Sequence, residues 1–123
     1  MKKEFVRHEI SLELKQLGFD DPCIGKFYYN QLEIGGIWTN NDFKEDPDIF
    51  ISAPLYQQVF RWFREKYSLI GEIFSQLRPS NNFMYGFKIG GSDIIFDGFQ
   101  TYEEAELACL LKLIETVKES ILD

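Results

Sequence analysis

The sequence predicts an α+β fold, an antiparallel sheet with helices packed on one face, in the order α-β-β-α-β-β-β-α. Two segments, 52–67 and 101–122, have the 3.6-residue apolar period of amphipathic helices. Between them, residues 68–98 contain three short segments in which apolar side chains alternate, as in half-buried strands. A further helical segment and a β-like pair occupy residues 3–38. Helices and strands segregated in this way favour the α+β class.

The first predicted helix covers residues 3–17. Its apolar side chains lie on one stripe at helical spacing: Val6, Ile10, Leu14 and Leu17. Gly18 stands where a left-handed residue commonly ends a helix. His8, the one histidine of the chain, projects away from the stripe, so the sequence predicts that its side chain is solvated.

Residues 23–38 predict a β-hairpin with a polar turn near Asn30. Because Tyr28 and Tyr29 are adjacent on a predicted strand, they should point to opposite faces, with one of them outside and near Trp38. An exposed tyrosine suits contact with a partner, and equally the packing of this segment on the rest of the chain. The sequence leaves open whether the hairpin joins the main sheet or covers it.

Residues 39–48 form the most polar stretch and predict a surface loop. Its acidic side chains raise the question of calcium binding: Asp42, Glu45, Asp46 and Asp48. The stretch lacks the central glycine and the terminal glutamate of the EF-hand pattern. We therefore expect a solvated loop and no metal ion.

The second predicted helix begins near Ser52, which is expected to cap it, with Pro54 in its first turn. Cationic and aromatic residues alternate along it: Arg61, Trp62, Phe63, Arg64 and Lys66. Trp62 lies at the rim of the apolar face, and arginine beside tryptophan can stack on bases or aromatic groups or pair with an acidic peptide. The alternative is that the arginines form the wet face of a helix packed on a sheet.

The last strands and helix are the most clearly specified. One strand face should be buried: Phe83, Tyr85, Phe87 and Ile89. Residues 79–82 and 90–92 have turn composition. Thr101 and Glu104 have the spacing of a capping box, so the last helix should begin there. Its predicted core stripe is Leu107, Leu110, Leu111, Ile114, Val117 and Ile121.

Length and composition predict one domain, 1–123. The net charge of −7 disfavours long-range attraction to nucleic acid or anionic membranes. No apolar run approaches the roughly 20 residues that span a bilayer, and the charged N-terminus does not look like a secretory signal, so we expect a cytoplasmic location. Cys23 and Cys109 are far apart and outside any CxxC pair, which favours two buried, reduced thiols over a disulfide or a zinc site.

Three strings carry a resemblance in the same order: LKQLGFDDPCIGKFY, SAPLYQQVFRWFREKY and TYEEAELACLLKLIE. They resemble a group of small uncharacterised proteins of gut anaerobic bacteria that are often found with prophages or other mobile elements. The likeness covers nearly the whole chain outside the loop 39–48. It implies an association with mobile DNA and carries over no site residue.

The order α-β-β-β-α of residues 52–122 is similar, in topology alone, to the double-stranded RNA-binding domain. In that family, lysines at the start of the last helix bind phosphates, whereas the matching positions here include carboxylates: Glu103, Glu104 and Glu106. Recognition of RNA shape depends on phosphate and 2′-hydroxyl contacts, so the analogy extends to the fold and not to the function.

Together these observations favour a non-catalytic, cytoplasmic binding or adaptor protein of a phage or mobile element, with no cofactor. An enzyme is not expected, because the single histidine has no acidic or cysteine partner at dyad spacing. The candidate partner-binding residues are Arg61, Trp62, Arg64, Tyr28 and Trp38. We expect a protein partner, and an open sheet edge also allows a homodimer. The alternative is a nucleic-acid-related protein, which binds through Arg61, Trp62 and Arg64 or mimics DNA with its acidic surface.

Overall fold

Helices and strands lie close to the predicted segments, with an additional strand, β3. The structure is a computed structural model and describes residues 2–77 and 83–122. Its helices are α1 (His8–Gln16), α2 (Tyr56–Tyr67) and α3 (Tyr102–Leu122), with short 3-10 helices at Lys2–Glu4 and Asn40–Phe43. Its strands are β1 (Cys23–Tyr28), β2 (Gln31–Trp38), β3 (Phe50–Ala53), β4 (Gly71–Leu77), β5 (Phe83–Ile89) and β6 (Phe96–Phe99).

The described strands form two antiparallel sheets, with the strand orders β2-β1-β3 and β4-β5-β6. The predicted α+β class is confirmed, and the strands are divided between two sheets where one was expected. The hairpin of β1 and β2 therefore does not join the sheet of the later strands. The chain divides into two compact units, the N-terminal unit Met1–Val59 and the C-terminal unit Phe60–Asp123. One domain over 1–123 stays a prediction.

The N-terminal unit is built around the first sheet. Residues that pair across strands share a face, and Phe27 pairs with Leu32 on one side and Ile51 on the other. This face carries a small buried cluster, against which Leu32 and Leu55 also pack: Phe5, Phe27, Ile51 and Ala53. Through Leu32, the edge strand β2 therefore contacts this buried cluster directly.

Helix α1 begins at His8 and not at residue 3. Between the 3-10 helix and α1 the chain is extended: Phe5 forms a β-bridge with Leu55, and the Val6 N–H donates to the Pro54 carbonyl at 2.8 Å. Tertiary pairing of the backbone therefore overrides the helical period of these residues.

The predicted end of α1 is confirmed, since Gly18 has a φ of 96°. The prediction of a solvated His8 is wrong. Its side chain is half-buried, and its ring meets Phe27 edge-on with centroids 5.3 Å apart. At the first residue of α1, the His8 ring thus lies against Phe27 of the central strand β1.

The prediction that Ser52 caps the second helix is also wrong. Ser52 is buried in strand β3, where it pairs with Lys26, and α2 begins only at Tyr56. The strand spans Phe50–Ala53. So short a segment has too few residues for its alternation to stand out in the sequence.

In the C-terminal unit, helix α3 packs on all three strands of the second sheet. Phe87 is buried and pairs with Ile73 and with Phe96, whose ring stacks on it with centroids 4.8 Å apart. Tyr85 and Ile89 are half-buried, which agrees with the predicted face. The side chain of Phe83 and the predicted turn 79–82 lie outside the described residues.

The start of α3 is confirmed. The Glu104 N–H donates to Thr101 Oγ1 at 3.1 Å, and the Glu104 carboxylate accepts from the Gln100 N–H at 3.3 Å. Two members of the predicted core stripe are wrong, because Leu111 and Ile121 are exposed. The buried stripe is rotated toward Ala105, Cys109 and Leu113 instead. Within residues 2–77 and 83–122, no helix is long and apolar enough to cross a membrane.

Candidate partner-binding site

Exposed apolar side chains of the N-terminal unit are concentrated on the hairpin of β1 and β2. Ile37 is 73% exposed, Tyr29 54% and Ile34 48%, with Tyr28 and Ile24 each above 40%. Full burial of such a side chain contributes about 1.5–3 kcal/mol. Ile24 and Tyr28 lie on one face of the sheet and Ile34 on the other, and a partner that covers either set gains free energy.

Strand β2 is bent in its second half. Cys23 pairs with Trp38 and Gly25 with Ile34, so a bulge on β2 lies opposite Ile24. Inside the bulge, Gly35 has a φ of 132° and Gly36 a φ of 79°, conformations that side chains other than glycine rarely adopt. The regular part of this edge is therefore residues 31–34.

Trp38, a predicted partner-binding residue, is half-buried against this bulge. Its indole N–H donates to the Gly35 carbonyl at 2.8 Å, and a Cβ on Gly36 would lie 2.9 Å from the indole nitrogen. The Lys26 amine sits 4.0 Å from the centroid of the indole ring. Trp38 thus stabilises the bulge, and its ring already makes a cation–π contact with Lys26 of the same chain.

Tyr28, the other predicted residue on the hairpin, ends a row of aromatic rings that begins at Trp38. Neighbouring centroids in the row are 5.7, 5.3 and 5.4 Å apart, in the order Trp38, Phe43, Phe50 and Tyr28. Two rings therefore separate Tyr28 from Trp38. The prediction that only one of the two adjacent tyrosines is outside is wrong, because Tyr29 lies in the turn with a φ of 55° and both rings are exposed.

The β3 edge of the first sheet is closed by the loop before it. The Phe50 N–H donates to the Asp46 carbonyl at 3.2 Å, and the Ser52 N–H donates to Asn40 Oδ1 at 3.0 Å. Asn40 is itself buried and donates through Nδ2 to the Phe19 carbonyl at 2.8 Å. The loop predicted to be solvated thus contains a buried residue, Asn40, that joins the β3 edge to Phe19.

The β2 edge is open. Phe50 and Ser52 direct their backbone N–H and C=O groups away from β1. Their partners on β1, Tyr28 and Lys26, therefore direct their own N–H and C=O groups toward β2. Hydrogen-bonded and non-hydrogen-bonded pairs alternate, so Leu32 and Ile34 direct their N–H and C=O groups outward. Over the described part of the chain, no loop or side chain pairs with these groups.

A cavity of about 430 Å³ lies beside this edge. Its lining includes the apolar side chains of Phe5, Phe27 and Leu32 and the polar residues Arg7, His8 and Asn30. Arg7 pairs with Glu9 at 2.9 Å. The volume falls in the range of about 300–1,000 Å³ that is usual for small-molecule and side-chain pockets.

On helix α2, the structure separates the predicted basic–aromatic set. Arg61 and Arg64 are exposed, and no carboxylate within the described ranges pairs with them. Trp62 is only 6% exposed and packs edge-on against Phe63 and Tyr67. The helix thus turns the Trp62 ring into the core, and a role of Trp62 in partner binding stays a prediction.

Both cysteines are buried, free thiols, as predicted. Burial raises the pKa of the Cys23 thiol from 9.0 to about 11. Burial, aided by the charge of Glu106, raises the pKa of the Cys109 thiol to about 12. Both thiols are held in the protonated, unreactive form near neutral pH.

We expect a disulfide-exchange reagent at about pH 8 to label the folded protein at least about 100-fold more slowly than the denatured chain, because only the thiolate attacks.

Since the folded pKa values of the two thiols lie above 9.0, the unfolded chain loses these protons first. The free energy of unfolding should therefore fall as the pH rises from about 9 through both folded values. Denaturation curves across that window check this. A free energy of unfolding that stays constant over this pH window, in the wild type and in Cys109→Ala alike, would contradict the prediction.

No group of three or more histidine, cysteine, aspartate or glutamate side chains is arranged to hold a metal ion in the part of the chain that the structure describes.

The sequence missed Ile34 and Ile37 as surface residues. They belong to LEIGGIW, whose apolar character predicts burial. The paired glycines were the available signal, because consecutive glycines inside a strand indicate a bulge, and bulges are common at sheet edges.

Comparisons of the chain with protein-family models, with curated proteins and with solved structures find no match.

Proposed function

We propose that the protein is a non-catalytic, cytoplasmic binding or adaptor protein of a phage or mobile element, and that its main contact surface is the hairpin of β1 and β2. One observation carries the proposal: this hairpin exposes several large apolar side chains, and the outer edge of its strand β2 is open. Apolar and aromatic groups of this kind form the cores of protein interfaces. The link to a mobile element rests on the sequence resemblance alone.

Arg61 and Arg64 form a second, weaker candidate surface. They lie one turn apart on α2 and are exposed, so they can pair with carboxylates of a partner. Exposed ion pairs contribute only about 0–1 kcal/mol each, so this surface adds specificity more than affinity.

The nucleic-acid alternative has less support. Direct binding through α2 would combine cations with a stacking ring, and the buried Trp62 ring is not accessible for stacking. Mimicry of DNA requires carboxylates arranged like phosphates, and the net charge of −7 is its only support.

The experiment is affinity capture from the native host with two matched double variants. Tyr29→Asn with Ile37→Thr removes two of the most exposed hairpin side chains, and asparagine suits the left-handed backbone at position 29. Arg61→Glu with Arg64→Glu alters α2 instead. We expect the hairpin variant to lose a partner by about 10-fold or more, as hot-spot truncation does, and the arginine variant to retain most of it.

Unchanged circular dichroism and thermal unfolding of both variants establish that only the surfaces differ. A partner encoded by the same mobile element supports the genetic part of the proposal. Loss of capture from the arginine variant alone would move the site to α2. The absence of any partner specific to the wild-type protein would contradict the binding function itself.

A further inference from the structure

We propose that the edge of strand β2 binds an extended segment of a partner protein by antiparallel strand addition, and that this segment has the pattern apolar–basic–apolar. The inference rests on the proposed binding function and deepens it. It names the residues that pair and the chemistry of the partner.

The backbone of β2 provides the pairing. Leu32 and Ile34 are two positions apart, and both direct N–H and C=O groups away from the sheet. A strand added at this edge exchanges both of its N–H···O bonds with each of these residues. The bulge at Gly35 and Gly36 ends the regular edge, so the paired segment is short.

Side chains of the added strand are sorted by the alternation of the sheet. A residue opposite Leu32 lies on the face of Leu32 and Phe27, which line the 430 Å³ cavity. A large apolar side chain at this position enters the cavity. A second apolar residue, opposite Ile34, covers a side chain that is 48% exposed in the free protein.

Glu33 lies between these two positions and points to the other face of the sheet, with its side chain exposed. The amine of its cross-strand neighbour Lys26 is directed over the rings of Trp38 and Phe50, at 4.0 and 5.2 Å. No cation pairs with Glu33 within residues 2–77 and 83–122. A lysine or arginine opposite Glu33 therefore completes a favourable cross-strand pair.

The charge pattern also favours a different protein over a second copy of this chain. If a copy added its own β2 in the same antiparallel register, with Leu32 opposite Ile34, each Glu33 would lie directly opposite the other. Like charges at this position destabilise a strand pair. The N-terminal unit has six basic and ten acidic residues, so two copies also repel each other at longer range.

The probe is a dye-labelled peptide, acetyl-Ser-Gly-Val-Lys-Phe-Gly-Ser-amide, titrated with the full chain and followed by fluorescence anisotropy. In the proposed register, its valine and phenylalanine N–H groups bond to β2, and its lysine N–H points away. N-methylation of either apolar residue should abolish binding, whereas N-methylation of the lysine should change the Kd by less than about threefold. Replacing the lysine by glutamate should weaken binding by about fivefold or more.

Variants of the protein provide the reciprocal test. Ile34→Pro removes an outward N–H that takes no part in the β1–β2 ladder, so it should abolish peptide binding and preserve the hairpin. Ile34→Thr keeps that N–H and should bind within about fivefold of the wild type. Glu33→Lys should prefer the glutamate peptide, a reversal that a merely structural effect does not produce. Amide NMR spectra check that all three variants are folded.

Equal sensitivity to N-methylation at lysine and at the apolar residues, wild-type binding by Ile34→Pro, or no binding of the parent peptide would each overturn the inference. So would a wild-type dimer in sedimentation that Ile34→Pro converts to a monomer, because the occupant would then be a second copy. In each case, host capture that remains sensitive to Tyr29→Asn with Ile37→Thr preserves the proposed function. If host capture is also insensitive to Tyr29→Asn with Ile37→Thr, the proposed function is rejected together with the inference.

Discussion

Replacing Asn40 by alanine is expected to lower the free energy of unfolding by about 2–6 kcal/mol, because it leaves two buried backbone groups without a hydrogen bond, at a cost of about 1–3 kcal/mol each. These groups are the Ser52 N–H, 3.0 Å from Asn40 Oδ1, and the Phe19 carbonyl, 2.8 Å from Nδ2. Ser52 and Phe19 are each 1% exposed, so water cannot easily replace the lost amide. Chemical denaturation followed by tryptophan fluorescence measures the change.

The neighbouring Asn41 provides a matched control. It is exposed and takes part through its backbone N–H, which donates to Asp20 Oδ1 at 2.7 Å, so Asn41→Ala should change stability by less than about 0.5 kcal/mol. Asn40→Ala also uncovers the outward N–H of Ser52 at the β3 edge, and we expect a greater tendency to self-associate. Equal stability of the two variants would show that Asn40 does not close this edge.

Replacing Gly86 by alanine is expected to lower the free energy of unfolding by about 1–3 kcal/mol through overpacking. A Cβ on Gly86 would lie 2.6 Å from the Phe96 carbonyl oxygen and 2.8 Å from the Phe74 ring. The ring can move, but the carbonyl belongs to strand β6, which pairs with β5 at Phe87. Relief of the clash therefore requires β6 to separate from β5.

Two further variants provide a control and show whether the Phe96 carbonyl or the Phe74 ring causes the loss of stability. Ser75→Ala, at an exposed position of β4, should be neutral within about 0.5 kcal/mol. Phe74→Leu removes the ring, and in that background Gly86→Ala should cost nearly as much as in the wild type, because the carbonyl remains. A cost that disappears with the ring would assign the effect to Phe74 instead. Such a double-mutant cycle is suited to residues in contact.

The elements with clear local signals could be predicted from the sequence. Thr101 and Glu104 fix the start of α3 through a hydrogen bond between residues three apart, and Gly18 ends α1 because a left-handed position favours glycine. Strand β3 and the late start of α1 could not be predicted, because pairing with distant backbone decides both. In each case a long-range contact replaced the local preference.

The candidate site divides in the same way. Arg61 and Arg64 are exposed as their helical positions predict, since a helix periodicity separates wet from buried faces. The burial of Trp62 and the exposure of Ile34 and Ile37 depend on what packs beside them, and residues at a face rim or a sheet edge have no local signal for this.

The amino-acid order alone thus specifies helices, most strands and the acidic character of the chain, because these depend on side-chain chemistry at spacings of two to four residues. The choice of two sheets over one, the closing of the β3 edge by Asn40 and the open edge at Leu32 and Ile34 come from tertiary contacts. Hydrogen bonds and packing between residues far apart in the chain select among arrangements that share the same local pattern.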